Sequence, residues 1–136
     1  MYDRILQILQ KSDIISDPRI IELNVYGERQ FRVKIRGKVE EGLTFQVWLN
    51  HRPWRIRYSY QLFKREEPIL RWDNAPHHPE LAENFPHHFH DALGKITASR
   101  LSGSPLEDVL IVLQEIGRFL GESRDDFGEA SWLGVS

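Results

Sequence analysis

The chain has 136 residues, a net charge of −2 and no cysteine. One domain with its own core fits that length; disulfides and thiolate metal sites are excluded, and a reducing cytoplasm suits such a chain. No run of eighteen apolar residues occurs, and the polar opening MYDRILQILQ fits neither a signal peptide nor a span, so a cytoplasmic chain with no membrane partner is expected.

Residues 3–11 set Ile5, Ile8 and Leu9 at helical spacing and predict a short N-terminal helix. The stretch IIELNVYGERQFRVKIRG then reads as a hairpin turning at YGER. In its second arm Phe31, Val33 and Ile35 alternate with Arg32, Lys34 and Arg36, the period of a strand. After a turn at EEG (40–42), LTFQVWLN puts Leu43, Phe45, Val47 and Leu49 on one side and Thr44, Gln46 and Trp48 on the other. RIRYSYQLF (55–63) places Ile56, Tyr58, Tyr60 and Leu62 opposite Arg55, Arg57, Ser59, Gln61 and Phe63.

KREEP is the next turn, and ILRWD (69–73) returns as a fifth strand. Reading KREEP as an odd five-residue loop sets Leu62 against Leu70, Tyr60 against Trp72, Gln61 against Arg71 and Ser59 against Asp73. A shift of one residue would oppose Leu62 to Arg71. Arg57, Ser59, Arg71 and Asp73 are therefore expected on one polar face.

GKITASR (94–100) reads as a sixth strand. Ser104, Pro105 and Glu107 form a helix-start signal, and Leu106, Val109, Leu110, Leu113, Ile116 and Leu120 form its apolar stripe. The expected fold is an α+β domain over residues 1–120. It has an antiparallel meander of five to six strands, with a short N-terminal helix and a longer C-terminal helix packed on one face. Residues 121–136 read as a peripheral tail that Trp132 docks.

Five of the six histidines fall within RWDNAPHHPELAENFPHHFH (71–90). Pro76 and Pro86 each precede a His pair, so two Pro-His-His arms are expected to make one corner. In an extended chain the two members of a pair point opposite ways, so at most one of each faces a given site. Imidazole titrates near neutrality, which suits general acid–base chemistry. His77, His78, His87, His88, His90 and Asp73 are the candidate catalytic residues, with His77 and His88 as base and acid in either order. Arg57 and Arg71 suit phosphate, and Tyr58 and Asn74 complete the candidate substrate-binding set. No cofactor is needed for this chemistry. A competing reading is a divalent transition metal held by Asp73, His77, His87 and His90, although the spacing matches no zinc signature. A third reading makes the histidines structural.

The charge is unevenly spread. Arg29–Lys38 and Arg52–Arg65 each carry five basic residues and no acid, whereas the tail is acidic. The basic stretches, with Trp48 and the loop HRPWR (51–55), fit either a nucleic-acid contact or the solvated sides of strands. Tyr58, Tyr60, Trp72 and Phe85 fit core aromatics, the commoner role, or base-stacking platforms.

The run R-W-D-N-A-P-H-H, a short spacer and F-P-H-H-F-H resembles the signature of the TumE-like toxin family of prokaryotic toxin–antitoxin modules. The preceding tyrosine-rich RYSYQLF and the Ser/Pro-rich helix start fit as well, over residues 20–120. The resemblance implies a toxin with a cognate antitoxin protein as partner. The motif residues carry over as Arg71, Trp72, Asp73, Asn74, Pro76, His77, His78, Pro86, His87, His88 and His90. With the residue chemistry it suggests a metal-independent endoribonuclease acting on RNA. The alternatives are a metal-dependent nuclease or phosphotransferase, or an inactive binding module for nucleic acid or protein. A surface built for an antitoxin also allows a homodimer.

Overall fold

A computed structural model describes residues 1–40 and 42–135, with side chains up to Glu122. The expected α+β architecture is present. Helix α1 (Tyr2–Lys11) precedes strands β1 (Ser16–Gly27), β2 (Gln30–Lys38), β3 (Leu43–Arg52), β4 (Arg55–Lys64) and β5 (Glu67–Asp73). Two short strands, β6 (His88–His90) and β7 (Ile96–Ala98), lead to helix α2 (Pro105–Val135). The seven strands form one antiparallel sheet in chain order. The expectation of five to six strands omitted β6, which lies inside the histidine segment.

Alternation drives the packing. Phe31, Val33, Ile35, Phe45, Val47, Leu49, Tyr58, Tyr60, Leu62, Leu70 and Trp72 are buried on one face, against Ile5 and Leu9 of α1 and Val109, Val112, Leu113, Ile116 and Leu120 of α2. Leu110, assigned to the helix stripe, is instead exposed, and Val112 takes a core place. Val109, Val112, Leu113, Ile116 and Leu120 keep the helical spacing, so the buried stripe is turned slightly toward the Val112 side. The opposite face of the sheet carries Arg32, Lys34 and Arg36 of β2, Trp48 of β3 and Arg57 of β4.

The expected β4–β5 register holds at all four pairs: Ser59 with Asp73, Tyr60 with Trp72, Gln61 with Arg71, and Leu62 with Leu70. The turn that produces it differs. Arg65 and Glu66 alone link the strands, with Arg65 at φ 58°, and the register shifts between Leu62 and Phe63. Ile69 is the extra residue there. A two-residue turn plus one bulged residue thus reproduces the parity of a five-residue loop.

Three local devices hold the elements together. Trp72 Nε1 donates to Glu115 Oε2 at 2.5 Å, and Arg100 Nε reaches Glu115 Oε1 at 3.3 Å, tying β5 to α2. Asn74 acts as a peptide unit in side-chain form: its Nδ2 donates to Ile56 O at 2.7 Å and its Oδ1 accepts from Tyr58 N at 3.0 Å. This continues the β4–β5 pairing past Asp73. At the start of α2, Pro105 follows Ser104 as expected, but the carboxylate that reaches back belongs to Asp108 rather than Glu107. It accepts from Ser102 N at 2.9 Å and Gly103 N at 2.8 Å. Trp132 lies outside the described side chains.

Gly37 is where β2 meets the chain entering β1. A Cβ there would stand 2.5 Å from Ile15 Cγ2 and 3.5 Å from Pro18 Cα. Gly37→Ala is expected to cost about 1–3 kcal/mol through overpacking, read as a lower urea midpoint with an unchanged slope. An unshifted midpoint would show that Ile15 gives way freely.

Candidate active site

The site is built by two antiparallel strands that present their polar sides to the face opposite the helices. Arg71 pairs across to His90, Trp72 to Phe89 and Asp73 to His88. Period two therefore sends Arg71, Asp73, His88 and His90 one way, and Trp72 and Phe89 the other.

Asp73 is the hub, at 2% exposure. Its Oδ1 accepts from Ala75 N at 3.0 Å and lies 2.9 Å from His88 Nε2. Its Oδ2 lies 2.6 Å from Arg71 Nε and 3.6 Å from His90 Nε2. Close as it is, the Arg71 contact is off the hydrogen-bond line. Arg71 Nε, Asp73 Oδ2 and His90 Nε2 are therefore buried without an aligned hydrogen bond, and the Arg71–Asp73 contact is an ion pair.

His88 is buried beneath the cluster, with Nδ1 3.0 Å from Pro86 O. Each of its ring nitrogens faces an acceptor. Above His88 are His78 and His90, with ring centroids 4.9 and 5.0 Å from it and 5.9 Å from each other. One ligating atom from each of His78, His88 and His90 lies within 4.8 Å of the others. His78 and His90 keep 26% and 28% of their side chains exposed, and Arg71 keeps 43%. These three meet solvent. His78 Nδ1 also lies 3.2 Å from Glu80 Oε1. Burial, foremost, holds the His90 pKa below the ordinary imidazole value; the cations around it add to this, and Asp73 opposes it.

The remaining candidates are placed elsewhere. His77 is exposed, with its backbone turned onto Ala75 O, so His78 represents the first Pro-His-His arm in the cluster. His77 and His88 thus do not form a solvent-facing pair. His87 is on the helix side, where Tyr58 Oη meets its Nδ1 at 2.6 Å and the rings stack. Tyr58 is 2% exposed, which removes it from substrate reach, and burial pushes its phenol pKa up. The metal set Asp73, His77, His87 and His90 is therefore not brought together; Asp73 and His90 meet His78 and His88 instead. Arg57 Nη1 donates to Asn74 O at 3.1 Å at the rim of the site, while the Asn74 side chain is spent on the strand ladder. His51, the sixth histidine, is buried, stacked on Phe31 and bonded to Arg29 O. Glu80 is the site residue that sequence reasoning missed; a carboxylate two positions after His78 was the available signal.

A cavity of about 610 Å³ lies on the reverse face of the same strands, lined by Trp72, Phe89, Phe119, Arg100, Arg118 and Glu115 among others. It holds none of the clustered titratable groups, so the chemistry belongs to the opposite face.

The family model described as toxin TumE matches residues 5–120, the whole sheet and the first half of α2. The chain belongs to the TumE toxin family. Comparison with curated proteins found no match, and comparison with solved structures found none. Membership makes the TumE chain a toxin and implies an antitoxin partner. No helix among its described residues is long and apolar enough to cross a membrane.

The helix-side histidine gives a test of its own. Burial lowers the His87 pKa from 6.5, with Asp108 opposing. The folded ring is thus protonated less readily than the unfolded one. Its stabilising contribution is complete above the unfolded value of about 6.5 and is lost as pH falls below it. His87→Gln keeps an acceptor for Tyr58 without titrating. Urea midpoints are expected to fall more steeply with acid in the wild type than in this variant; parallel falls would refute the assignment.

Proposed function

We propose that this TumE toxin is a cytoplasmic endoribonuclease that works without a metal, through His90 as general base and His78 as general acid. The observation that carries the reading is the pairing of two partly exposed imidazoles in opposed surroundings beside an exposed guanidinium. Burial and neighbouring cations keep His90 neutral, while His78 has a carboxylate partner in Glu80, 3.2 Å from its Nδ1. Two imidazoles in unlike surroundings suit a division into base and acid.

In this reading His90 removes the ribose 2′-hydroxyl proton and the 2′-oxygen attacks phosphorus. The bond to the 5′-oxygen breaks, and His78 protonates that leaving oxygen, giving a cyclic phosphate and a 5′-hydroxyl. Arg71 steadies the charge on the phosphorane oxygens. Asp73 and His88 are positioning residues. The buried pair fixes the floor on which His90 and His78 stand, and Asp73 aligns Arg71.

A second reading rests on the three imidazole atoms within 4.8 Å of one another beside the buried Asp73. These would take a divalent transition metal with nitrogen and oxygen ligands, and His88 Nδ1 on Pro86 O would then be the usual support for a ligating ring.

Purified protein with a short RNA, with and without chelator, separates the two. Acid–base cleavage persists in chelator, and the metal reading requires its loss together with stoichiometric metal in element analysis. His78→Ala and His90→Ala are each expected to lower the rate by about 10²–10⁴-fold and to relieve growth arrest on expression, while His77→Ala stays active. Variants of His78 and His90 as toxic as the wild type would end this assignment. Because the His90 pKa is depressed, the acid limb of the rate profile is expected below about pH 6.5; an acid limb at higher pH would contradict His90 as the base.

A further inference from the structure

We infer that the face of the sheet opposite the helices is a track for single-stranded RNA leading into the histidine cluster. The inference rests on the RNA reading above and specifies the form of the substrate and its path.

Register turns the face into rows that cross the strands. One row runs Lys34, Trp48, Ser59, Asp73, His88. The next runs Arg36, Gln46, Gln61, Arg71, His90, and a third runs Arg32, Asn50, Arg57. The first two rows end in the site. Strands lie about 4.8 Å apart, so Trp48 stands roughly 14 Å from His88, a few nucleotides away.

Charge selects the occupant. β2, β3 and β4 contain no Asp or Glu, and their outward positions carry Arg32, Lys34, Arg36, Arg52, Arg55 and Arg57. Glu22 of β1 pairs with Lys34 at 3.5 Å, and buried Asp73 is already matched to Arg71 and His88. A basic field on a chain of net charge −2 fits a phosphate backbone.

The chemistry between the charges selects a single strand. Trp48 lies in the middle of this face and is only partly buried. A part-exposed aromatic on a basic sheet is a stacking platform for unstacked bases. A duplex keeps its base faces stacked away, so Trp48 has nothing to stack on there. An acidic protein would use the charges and leave the stacking face of Trp48 without a role.

The test uses full-length His90→Ala protein, which removes the proposed base and leaves the track. Anisotropy is measured with a labelled short single-stranded RNA and with a duplex of the same composition, and polyglutamate serves as competitor. The single strand is expected to bind more tightly than the duplex, with affinity falling steeply as salt rises. Added Trp48→Ala should weaken single-strand binding about tenfold and Trp48→Phe should restore most of it. Added Arg36→Ala should lower the salt slope by about one. Equal binding of duplex and single strand, or no effect of Trp48→Ala, overturns the track. So does binding of polyglutamate without binding of RNA, which marks a protein-docking face. The two ideas fail separately. A wild type that cleaves RNA equally well with Trp48→Ala and Arg36→Ala loses the track and keeps the site. A His90→Ala protein that binds as described, beside a wild type without cleavage, keeps the track and loses the activity.

Discussion

A carboxylate removed from water is the constraint around which this protein is arranged. Burying an ionised Asp costs several kcal/mol unless counter-charges and donors surround it. Asp73 meets that requirement with one partner from each direction: Arg71 along its own strand, His88 across the ladder, and the Ala75 amide where the chain turns. Each partner depends on a different piece of the fold. Arg71 needs the strand alternation, His88 needs the short strand β6, and Ala75 needs the chain to leave β5 at the point where Asn74 takes over the ladder. Breaking any one piece leaves a buried charge uncompensated.

The same sheet divides its histidines by parity. His88 and His90 are two apart and share the open face, while His87 passes to the helix side and joins Tyr58 near the buried Asp108. The fold thus keeps two polar constellations on opposite sides of one layer of backbone. On the helix side His87 and Tyr58 are bonded to each other, so that pair acts on stability. The open side retains partly exposed imidazoles and a guanidinium, so it can act on a ligand.

Much of this was legible in residue order. Period-two alternation in residues 31–36, 43–49 and 55–63 fixes which side chains reach the core, because a strand offers no third choice. The pairings of Ser59 with Asp73 and Gln61 with Arg71 followed from chemical compatibility across the ladder. Two things were not legible. HFH is too short to show a period, so β6 became a strand only by pairing with β5 and β7. The choice of His78 over His77 is made by the turn after Ala75, where the backbone bond from His77 N to Ala75 O has no signature in residue type. The right parity at the β4–β5 turn came from a different turn. Two linking residues and one bulged residue have the same odd or even character as the loop inferred from KREEP.

That bulge has a genetic consequence. Because Ile69 alone sets the parity of β5 against β4, removing one codon between Lys64 and Leu70, or adding one, would exchange the faces of every residue that follows in the strand. Trp72 would be delivered to solvent and Asp73 to the apolar layer in a single event, and the packing and the candidate site would fail together. For a toxin, whose host gains from any lesion that silences it, this short stretch is a place where an in-frame insertion or deletion brings escape.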